Sequence, residues 1–553
     1  MKIACYQFNP CVGDIVGNLS TISSAIKSIK SLEVDLFFLP ELAVTGYEMQ
    51  DLFFRPEFKM QIDQYLDFFL EIKGMIIAVT IPVYENDKIF NSIVLVKNGK
   101  ILARYDKFSL ANYGLFNEKR YFSSSANIPN SLFHSINSQN SIKYSFLICE
   151  DLWVDSCYRN QILATNDLVL VANASPFTID KHQARVNLLQ DLARSYNTAI
   201  VYLNQSGGHD GLIFDGASFA VNSKGIISYQ APSFEYSLDV LLINKGLQQI
   251  NIDADIFYQY PNQLESVYRA LVVGLADYYS KNNFKKAIIG LSGGADSALS
   301  LMIAVDALGA DNVLSLMLYS KYNSKDSLRY AKELTNNLQV KHLEIDIMPI
   351  FITMLRSLGW HSLEQIEQCS IKDNVLDISV QNIQARIRSN LLMWYSNQYQ
   401  GLLLNTSNKS EIALGYGTIY GDLAGGYGVL QDVYKTMVYE LINYRNCISK
   451  MIPQYIIDRP PSAELKNDQQ DQDSIPPYST LDQILKLLIE HNLSVQTVLE
   501  RQEFDLSLVQ NIAKTLFANQ YKFQQLAVGT KISTTAFNRE WRHSISKITT
   551  LIG

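Results

Sequence analysis

Cysteine is scarce and scattered in this chain. The six residues Cys5, Cys11, Cys149, Cys157, Cys369 and Cys447 include no Cys-x-x-Cys pair among 553 positions. That spacing excludes a dense disulfide framework and speaks against a thiolate zinc site. Long apolar runs are also missing. No stretch approaches eighteen apolar residues, and residues 1–7 pass straight into strand-like alternation without an apolar leader core, so no membrane span is expected and the cytoplasm is the expected location. Basic runs are absent too: 47 Lys and Arg stand against 54 Asp and Glu, a net charge of -7, which disfavours a nucleic-acid partner. There is no internal repeat. The polar run 466–474, before Pro476-Pro477, reads as a mobile loop.

The chain has the makings of full cores, and its length exceeds what one core usually supports. Two domains are expected, over 1–245 and 262–553. Residues 246–261, where Gly, Gln, Asn and Asp take over, read as the linker.

The second half is organised around Lys285-Lys-Ala-Ile-Ile-Gly-Leu-Ser-Gly-Gly-Ala-Asp-Ser-Ala-Leu299. Residues 287–291 form the short apolar run of a buried parallel strand, and residues 295–304 have a helix's composition. Ser292, Gly293 and Gly294 between them let the backbone approach a ligand, and the free N–H groups of the following helix suit an anion, most simply a phosphate. The lysine of the common P-loop, GxxxxGK[ST], is missing, since the loop closes on Ala295, Asp296 and Ser297. A loop lined by hydroxyls, N–H groups and one acid suits pyrophosphate as a leaving group, hence attack at the α-phosphate of ATP and an adenylate product.

In the first half, residues 2–8 read as a strand followed by a helix capped by Asn18, with Leu19, Ile22, Ile26 and Ile29 at helical spacing. An apolar run over 34–39 ends at Pro40-Glu41. A hairpin turning at Asn98-Gly99 delivers Lys107, and strand 142–148 delivers Cys149. Later strands are expected over 168–172, 199–203 and 212–221. Glu41, Lys107 and Cys149 therefore each follow a strand and can converge at one end of a sheet. Together they suit acyl transfer: Cys149 as nucleophile, Glu41 as base, Lys107 at the oxyanion. Each has a plainer reading, Glu41 and Lys107 as solvated charges and Cys149 as a small core residue.

Beyond the phosphate loop, strands alternate with helices over 313–404, implying a doubly wound parallel sheet with its ligand at the strands' carboxyl ends. Asn382 and Arg386 lie four apart on one face of the helix predicted over 375–395, and that face is equally readable as solvated. Thr406 and Glu411 follow the strand 401–404; Glu411 suits magnesium, which takes few carboxylates plus phosphate oxygens. The glycine-dense run 415–428 fails the GxGxxG spacing and reads as a close-approach loop with Asp422 as its polar contact. Lys435 is placed to reach ATP phosphates or to be a surface lysine.

The flanks Leu39-Pro40-Glu41-Leu42, Tyr105-Asp106-Lys107 and Ile148-Cys149-Glu150-Asp151-Leu152-Trp153 resemble the nitrilase (carbon-nitrogen hydrolase) superfamily over roughly residues 1–230. Leu110-Ala-Asn-Tyr-Gly-Leu-Phe-Asn-Glu-Lys-Arg-Tyr-Phe122 and Asn173-Ala-Ser-Pro-Phe177 extend the resemblance to its glutaminase branch. That implies an αββα sandwich, pocket roles for Tyr113 and Glu118, glutamine contacts from Glu150 and Ser175, and an oxyanion hole shared between Lys107 and a backbone N–H near Cys149. Ser292-Gly-Gly-Ala-Asp-Ser297 resembles the ATP pyrophosphatase families. With residues 381–388, 405–417, 420–426, 432–436, 460–465 and 471–478, the two halves together are similar to the family of glutamine-dependent NAD synthetases. The resemblance implies amidation of deamido-NAD by ammonia from glutamine. A Cys149 thioester and an adenylated nicotinate would carry it, with glutamate, AMP and pyrophosphate as by-products. It also implies ATP contacts from Ser292, Gly293, Gly294, Asp296, Ser297, Thr406 and Lys435; Mg2+ on Asp296 and Glu411; deamido-NAD on Asn382, Arg386 and Asp422; and a homo-oligomer. Arg539 and Arg542 fall where that family brings basic residues to its substrates, although His543-Ser544 departs from its pattern.

Two further readings stand beside this one. The same ATP loop serves other acceptors, as in GMP and asparagine synthetases, but no glycine-flanked nucleophile turn surrounds Cys149 and no cysteine follows the initiator. A nitrilase-type amidase with a regulatory nucleotide domain would release no pyrophosphate.

Overall fold

The computed structural model describes residues 1–125, 133–134, 142–246, 249–254, 256–360, 362, 364–365, 374–461, 464–465, 475–501, 504–537 and 539–546. The run 466–474 and Cys369 lie outside them. The chain divides into two compact units, Met1–Asn262 and Gln263–Gly553.

The first unit begins with β1 (Lys2–Gln7), β2 (Leu36–Phe38), β3 (Ile76–Glu85), β4 (Lys88–Lys97) and β5 (Lys100–Asp106). After them come β6 (Phe133–His134), β7 (Lys143–Ile148), β8 (Leu168–Asn173), β9 (Ala199–Asn204), β10 (Ser206–His209) and β11 (Leu212–Asp215). It closes with β12 (Phe219–Val221), β13 (Ile227–Gln230), β14 (Ser237–Lys245) and β15 (Ile250–Asp253). One sheet runs β15-β14-β1-β2-β3-β4-β5 and another β13-β12-β9-β8-β7-β6, while β10 and β11 form a separate ribbon. Alternation along the strands builds the layers. Ile3, Cys5, Leu36 and Phe38 join Phe146 and the residues of β8 and β9 in one core. Ala4, Tyr6, Phe37 and Leu39 instead meet Leu19, Ile22 and Ile26 of the helix Ile15–Ser28. The result is the αββα sandwich.

Three sequence expectations shift here. Asp14, not Asn18, caps the first helix, accepting from Gly17 N–H at 2.9 Å, while buried Asn18 spends its amide on the carbonyls of Cys11 and Val44. The stretch 212–221 is two strands in different sheets, broken where Gly216 and Ala217 take positive φ of 58° and 47°. Residues 246–261 are not all connection: buried Ile250 and Ile252 alternate along β15, which pairs antiparallel with β14.

The second unit holds β16 (Ala287–Gly290), β17 (Val313–Tyr319), β18 (Lys341–Asp346), β19 (Leu402–Asn405), β20 (Tyr427–Gly428) and β21 (Val528–Gly529), in the order β18-β17-β16-β19-β20-β21 with every neighbour parallel. β16 is buried, with β17 on one side and β19 on the other, so the chain reverses its winding beside the phosphate loop, and a doubly wound sheet opens its ligand crevice at such a reversal. The helices Ala295–Leu308 and Asn374–Gln398 cross between strands. No helix among the described residues is long and apolar enough to cross a membrane.

Candidate active sites

In the first unit, Glu41 follows β2, Lys107 follows β5 and Cys149 follows β7, and folding gathers them. Lys107 is buried, and its Nζ donates at 2.8 Å to Oε1 of Glu41 and at 2.8 Å to Oε1 of Glu118. Glu41 also accepts from Asn91 Nδ2 at 2.8 Å and from the Ala174 N–H at 3.0 Å. Glu118 accepts from Tyr47 Oη at 3.1 Å and from the Ala111 N–H at 2.9 Å. Burial works against charge on Lys107, but Glu118 and Glu41 outweigh it and hold the ammonium well above its ordinary range. Burial raises the Glu118 carboxyl, opposed by Lys107 and helped by the like charge of Glu41.

Half-buried Cys149 sits at φ 43°, on the turn between β7 and the short helix Glu150–Trp153. No glycine flanks it. The turn is held instead by Cys149 N–H on the Ala172 carbonyl at 2.9 Å and by Asp151, whose carboxylate accepts from Ile148 N–H at 3.1 Å. The same carboxylate takes Ser109 N–H at 2.7 Å and Tyr105 Oη at 2.8 Å, tying the Cys149 turn to the residues around Lys107. Burial, then Glu41, push the Cys149 thiol well above its usual range, with Lys107 pulling the other way. These surroundings favour the thiol over the thiolate.

The other expected glutamine contacts divide in two. Tyr113 is exposed, and its Oη donates to Glu150 Oε2 at 2.8 Å. Ser175 is buried and its N–H donates to Asn204 Oδ1 at 2.9 Å. The sequence reading passed over Asn91, Asp151 and Arg185. Asn91 carried a signal, because a strand interior otherwise rich in apolar residues disfavours asparagine.

In the second unit a cavity of about 300 Å³ opens at the end of β16, lined among others by Ser292, Gly294, Asp296, Ser297, Thr406, Glu411, Asp422 and Lys435. The loop is self-braced. Ser297 Oγ accepts the Ser292 N–H at 3.2 Å and donates to the Gly294 carbonyl at 3.1 Å. Gly293 sits at φ 82°, where a Cβ would lie 2.7 Å from the Ser327 carbonyl, so only glycine fits. Buried Lys435 donates to Asp296 Oδ2 and, at 3.3 Å, to Glu411 Oε1, which brings the two carboxylates to one point. Burial works against charge on Lys435, but Asp296 and then Glu411 outweigh it and hold the ammonium above its ordinary range. Fully buried Lys409 pairs with Asp432 at 2.8 Å, anchoring the short helix that carries Glu411.

Asn382, Arg386 and Asp422 gather around one loop. Thr418 donates its Oγ1 to Asn382 at 2.7 Å and its N–H to Asp422 at 3.0 Å, and Arg386 Nε reaches the Ile419 carbonyl at 3.3 Å. Asp422 lines the cavity, whereas Asn382 and Arg386 do not; from their helix Ala385, Arg388, Ser389 and Leu392 line it, so its charged contact is Arg388. Burial draws Arg388 down to about 10, against Asp422 and Glu464, and its Nε donates to the Leu318 carbonyl at 2.9 Å. Spacing sets Arg386 and Arg388, two apart and roughly 200° around one helix, on opposite sides, but only the packed neighbours decide which faces inward. Arg539 and Arg542 are not in the cavity lining; Arg542 Nε donates to the Arg539 carbonyl at 2.6 Å.

Residues 2–249 match the family described as carbon-nitrogen hydrolase, and residues 267–526 the one described as NAD synthase. Fold and family matches together define a carbon-nitrogen hydrolase unit of the nitrilase superfamily joined in one chain to an NAD synthase unit. The chain is 38% identical to the glutamine-dependent NAD(+) synthetase of Acinetobacter baylyi over 98% of both chains, and 35% identical to that of Aquifex aeolicus over 99% of both. It is also similar to the solved glutamine-dependent NAD+ synthetase of Acinetobacter baumannii in complex with ADP, with a TM-score of 0.76 and 35% identity over 98% of both chains. The chain belongs to the glutamine-dependent NAD(+) synthetase family.

Proposed function

We propose that the chain makes NAD from deamido-NAD, spending ATP and taking ammonia from glutamine. The observation that carries this is the pairing, in one chain matched end to end by such synthetases, of a buried Glu41–Lys107 pair beside Cys149 with a self-braced Ser292–Ser297 loop that lines the second unit's cavity. A glutaminase domain over 1–245 and a synthetase domain over 262–553 divide the work.

In the first unit Glu41 takes the thiol proton as Cys149 Sγ attacks the carboxamide carbon of glutamine. The oxyanion forms against the Lys107 ammonium. Because Cys149's own N–H is committed to Ala172, the backbone donor in this reading is the N–H of Glu150. Glu41 returns the proton to the departing ammonia, leaving a thioester. It then activates water, which releases glutamate and restores the thiol. Ser175 and the Tyr113–Glu150 pair hold the substrate's amino acid end, and Glu118 supports Lys107.

In the second unit the loop residues Ser292, Gly293, Gly294 and Ser297, with Thr406 and Lys435, hold the ATP phosphates. The nicotinate carboxylate of deamido-NAD, lying along Asp422 with Asn382 and Arg386 at the loop's edge, attacks the α-phosphate and expels pyrophosphate. Ammonia then displaces AMP from the adenylate. Among the described residues no group of three or more His, Cys, Asp or Glu could hold a metal ion. Two carboxylates converging through Lys435 nevertheless fit Mg2+, which takes its other ligands from phosphate oxygens and water. Asp296 and Glu411 would hold it, and it would neutralise charge developing on the pyrophosphate.

None of the five described cysteines is in a disulfide, which supports a cytoplasmic setting. Met393, Trp394 and Tyr420 expose apolar surface on and beside the helix Asn374–Gln398, which supports a homo-oligomer.

The deciding assay compares wild type with Cys149→Ala on deamido-NAD, ATP and magnesium, with nitrogen supplied as glutamine or as ammonium. The variant is expected to lose glutamine-supported NAD formation and keep the ammonium-supported reaction. A wild type that makes no NAD from either source refutes the acceptor.

A further inference from the structure

Behind Ser175 lies a buried polar cluster that the chemistry above does not use. Arg185, in the helix Lys181–Tyr196, and Asp215, ending β11, are both fully buried, and Arg185 Nη1 donates to the two carboxylate oxygens at 2.7 and 2.9 Å. Nη2 turns the other way, toward the Ser175 carbonyl at 2.8 Å, Ser175 Oγ at 3.2 Å and the Pro176 carbonyl at 3.1 Å. Asn204 completes the clamp: its Oδ1 accepts the Ser175 N–H, and its Nδ2 donates to the Ser175 carbonyl at 3.1 Å and to Asp215 Oδ1 at 3.4 Å. The place of Ser175 is thus set by Arg185 and Asn204, and both are set by Asp215. Desolvation offsets most of the attraction within such a buried pair, so its main contribution is a fixed geometry.

One further residue holds Asp215. Tyr260 Oη donates to Oδ2 at 3.1 Å, and its ring stacks on buried His182 with centroids 3.6 Å and planes 2° apart. Tyr260 stands just ahead of the helix Gln263–Lys281, in the segment leading out of the first unit. That segment is laid down by a bridge between Phe257 and Gln230 and by the Tyr258 N–H on the Gln230 carbonyl at 2.9 Å.

We propose that Tyr260 is a positioning residue for glutamine binding: by fixing Asp215 it fixes Arg185, and through Arg185 the Ser175–Pro176 backbone. The proposal rests on the reading of Ser175 as a glutamine contact. Tyr260 touches no reacting atom, so its removal should weaken binding of glutamine more than it slows the thiol's attack.

The test is the initial rate of glutamine hydrolysis against glutamine concentration, with full-length wild type, Tyr260→Phe and Tyr260→Leu. Tyr260→Phe keeps the stack on His182 and loses the hydrogen bond to Asp215. Its KM for glutamine should rise about fivefold, the worth of one such bond, with kcat within about twofold. Tyr260→Leu loses the stack on His182 as well and should raise KM further. A merely structural role would shrink the active fraction, lowering kcat without moving KM. KM values within about twofold of wild type for both variants overturn the proposal alone. A wild type that hydrolyses no glutamine overturns it together with the reading on which it rests.

Discussion

Glu118→Gln removes one of the two carboxylates that moor Lys107 while keeping the side chain's shape. Oε1 of Glu118 accepts from Lys107 and Tyr47 and Oε2 from the Ala111 N–H, so whichever way the glutamine amide turns, one of its N–H donors faces another donor. The gross attraction across 2.8 Å is roughly 6 kcal/mol at an effective dielectric near 20, but desolvation of Glu118 offsets much of it. A net loss of about 1.5–3 kcal/mol, the worth of a charged hydrogen bond, is the better estimate, and it corresponds to a fall of roughly 10- to 150-fold in kcat for glutamine hydrolysis. The same change should have the opposite effect on bare thiol reactivity. Glu118 is among the charges that raise the Cys149 thiol, so without it more thiolate forms at a given pH, and alkylation by iodoacetamide should speed up while glutamine turnover slows. Glutamate release and alkylation rate, measured on the same preparations together with Tyr47→Phe as a control that removes a single neutral donor, separate the two effects. Glutamine turnover within about threefold of wild type for Glu118→Gln, or a Tyr47→Phe variant as impaired as it, would refute the mooring role.

Three further outcomes follow from the geometry. Lys435→Met strands Asp296 and Glu411 without their shared cation and should cut NAD formation from glutamine and from ammonium alike by about 100-fold or more; a defect confined to glutamine would place Lys435 outside the ATP site. Gly293→Ala forces a Cβ against the Ser327 carbonyl at positive φ and should lower ammonium-supported synthesis at least about tenfold, with iodoacetamide alkylation of Cys149 unchanged; full synthetase activity would show that the loop adapts. Burial pushes the Asp151 carboxyl up to about 7, so between roughly pH 4 and 7 the folded chain binds more protons than the unfolded one. The contribution of this site to stability is therefore largest at low pH and declines, on the order of a few kcal/mol, as pH rises through that window. Thermal unfolding of wild type and Asp151→Asn across that range should show the wild-type advantage shrinking with pH, and parallel profiles would contradict it.

The local chemistry was legible in the linear chain wherever it depends on neighbouring residues. Alternation along residues 2–8 marks a strand. Asn98 and Gly99, at φ 48° and 83°, make the hairpin turn that asparagine and glycine favour because both tolerate that region. The Ser292 to Ser297 loop reads directly, since its glycines, hydroxyls and helix start are consecutive. Even the gathering of Glu41, Lys107 and Cys149 could be expected, because each follows a strand and strand ends share an edge.

Tertiary structure decided what depends on partners distant in sequence. Glu41 lies 66 positions from Lys107, and Asp296 lies 139 from Lys435; only packing reveals that the first pair is sealed from water and that the second shares one ammonium with Glu411. Periodicity placed Arg386 and Arg388 on one helix without saying that Arg388 faces the cavity, because the burying neighbours come from β17 and the loop near Asp422. Arg185, Asp215 and Tyr260 carry no motif at all. Their meaning arises when two charges and a ring from three separate segments meet out of water behind Ser175, where each must find its partner in the others.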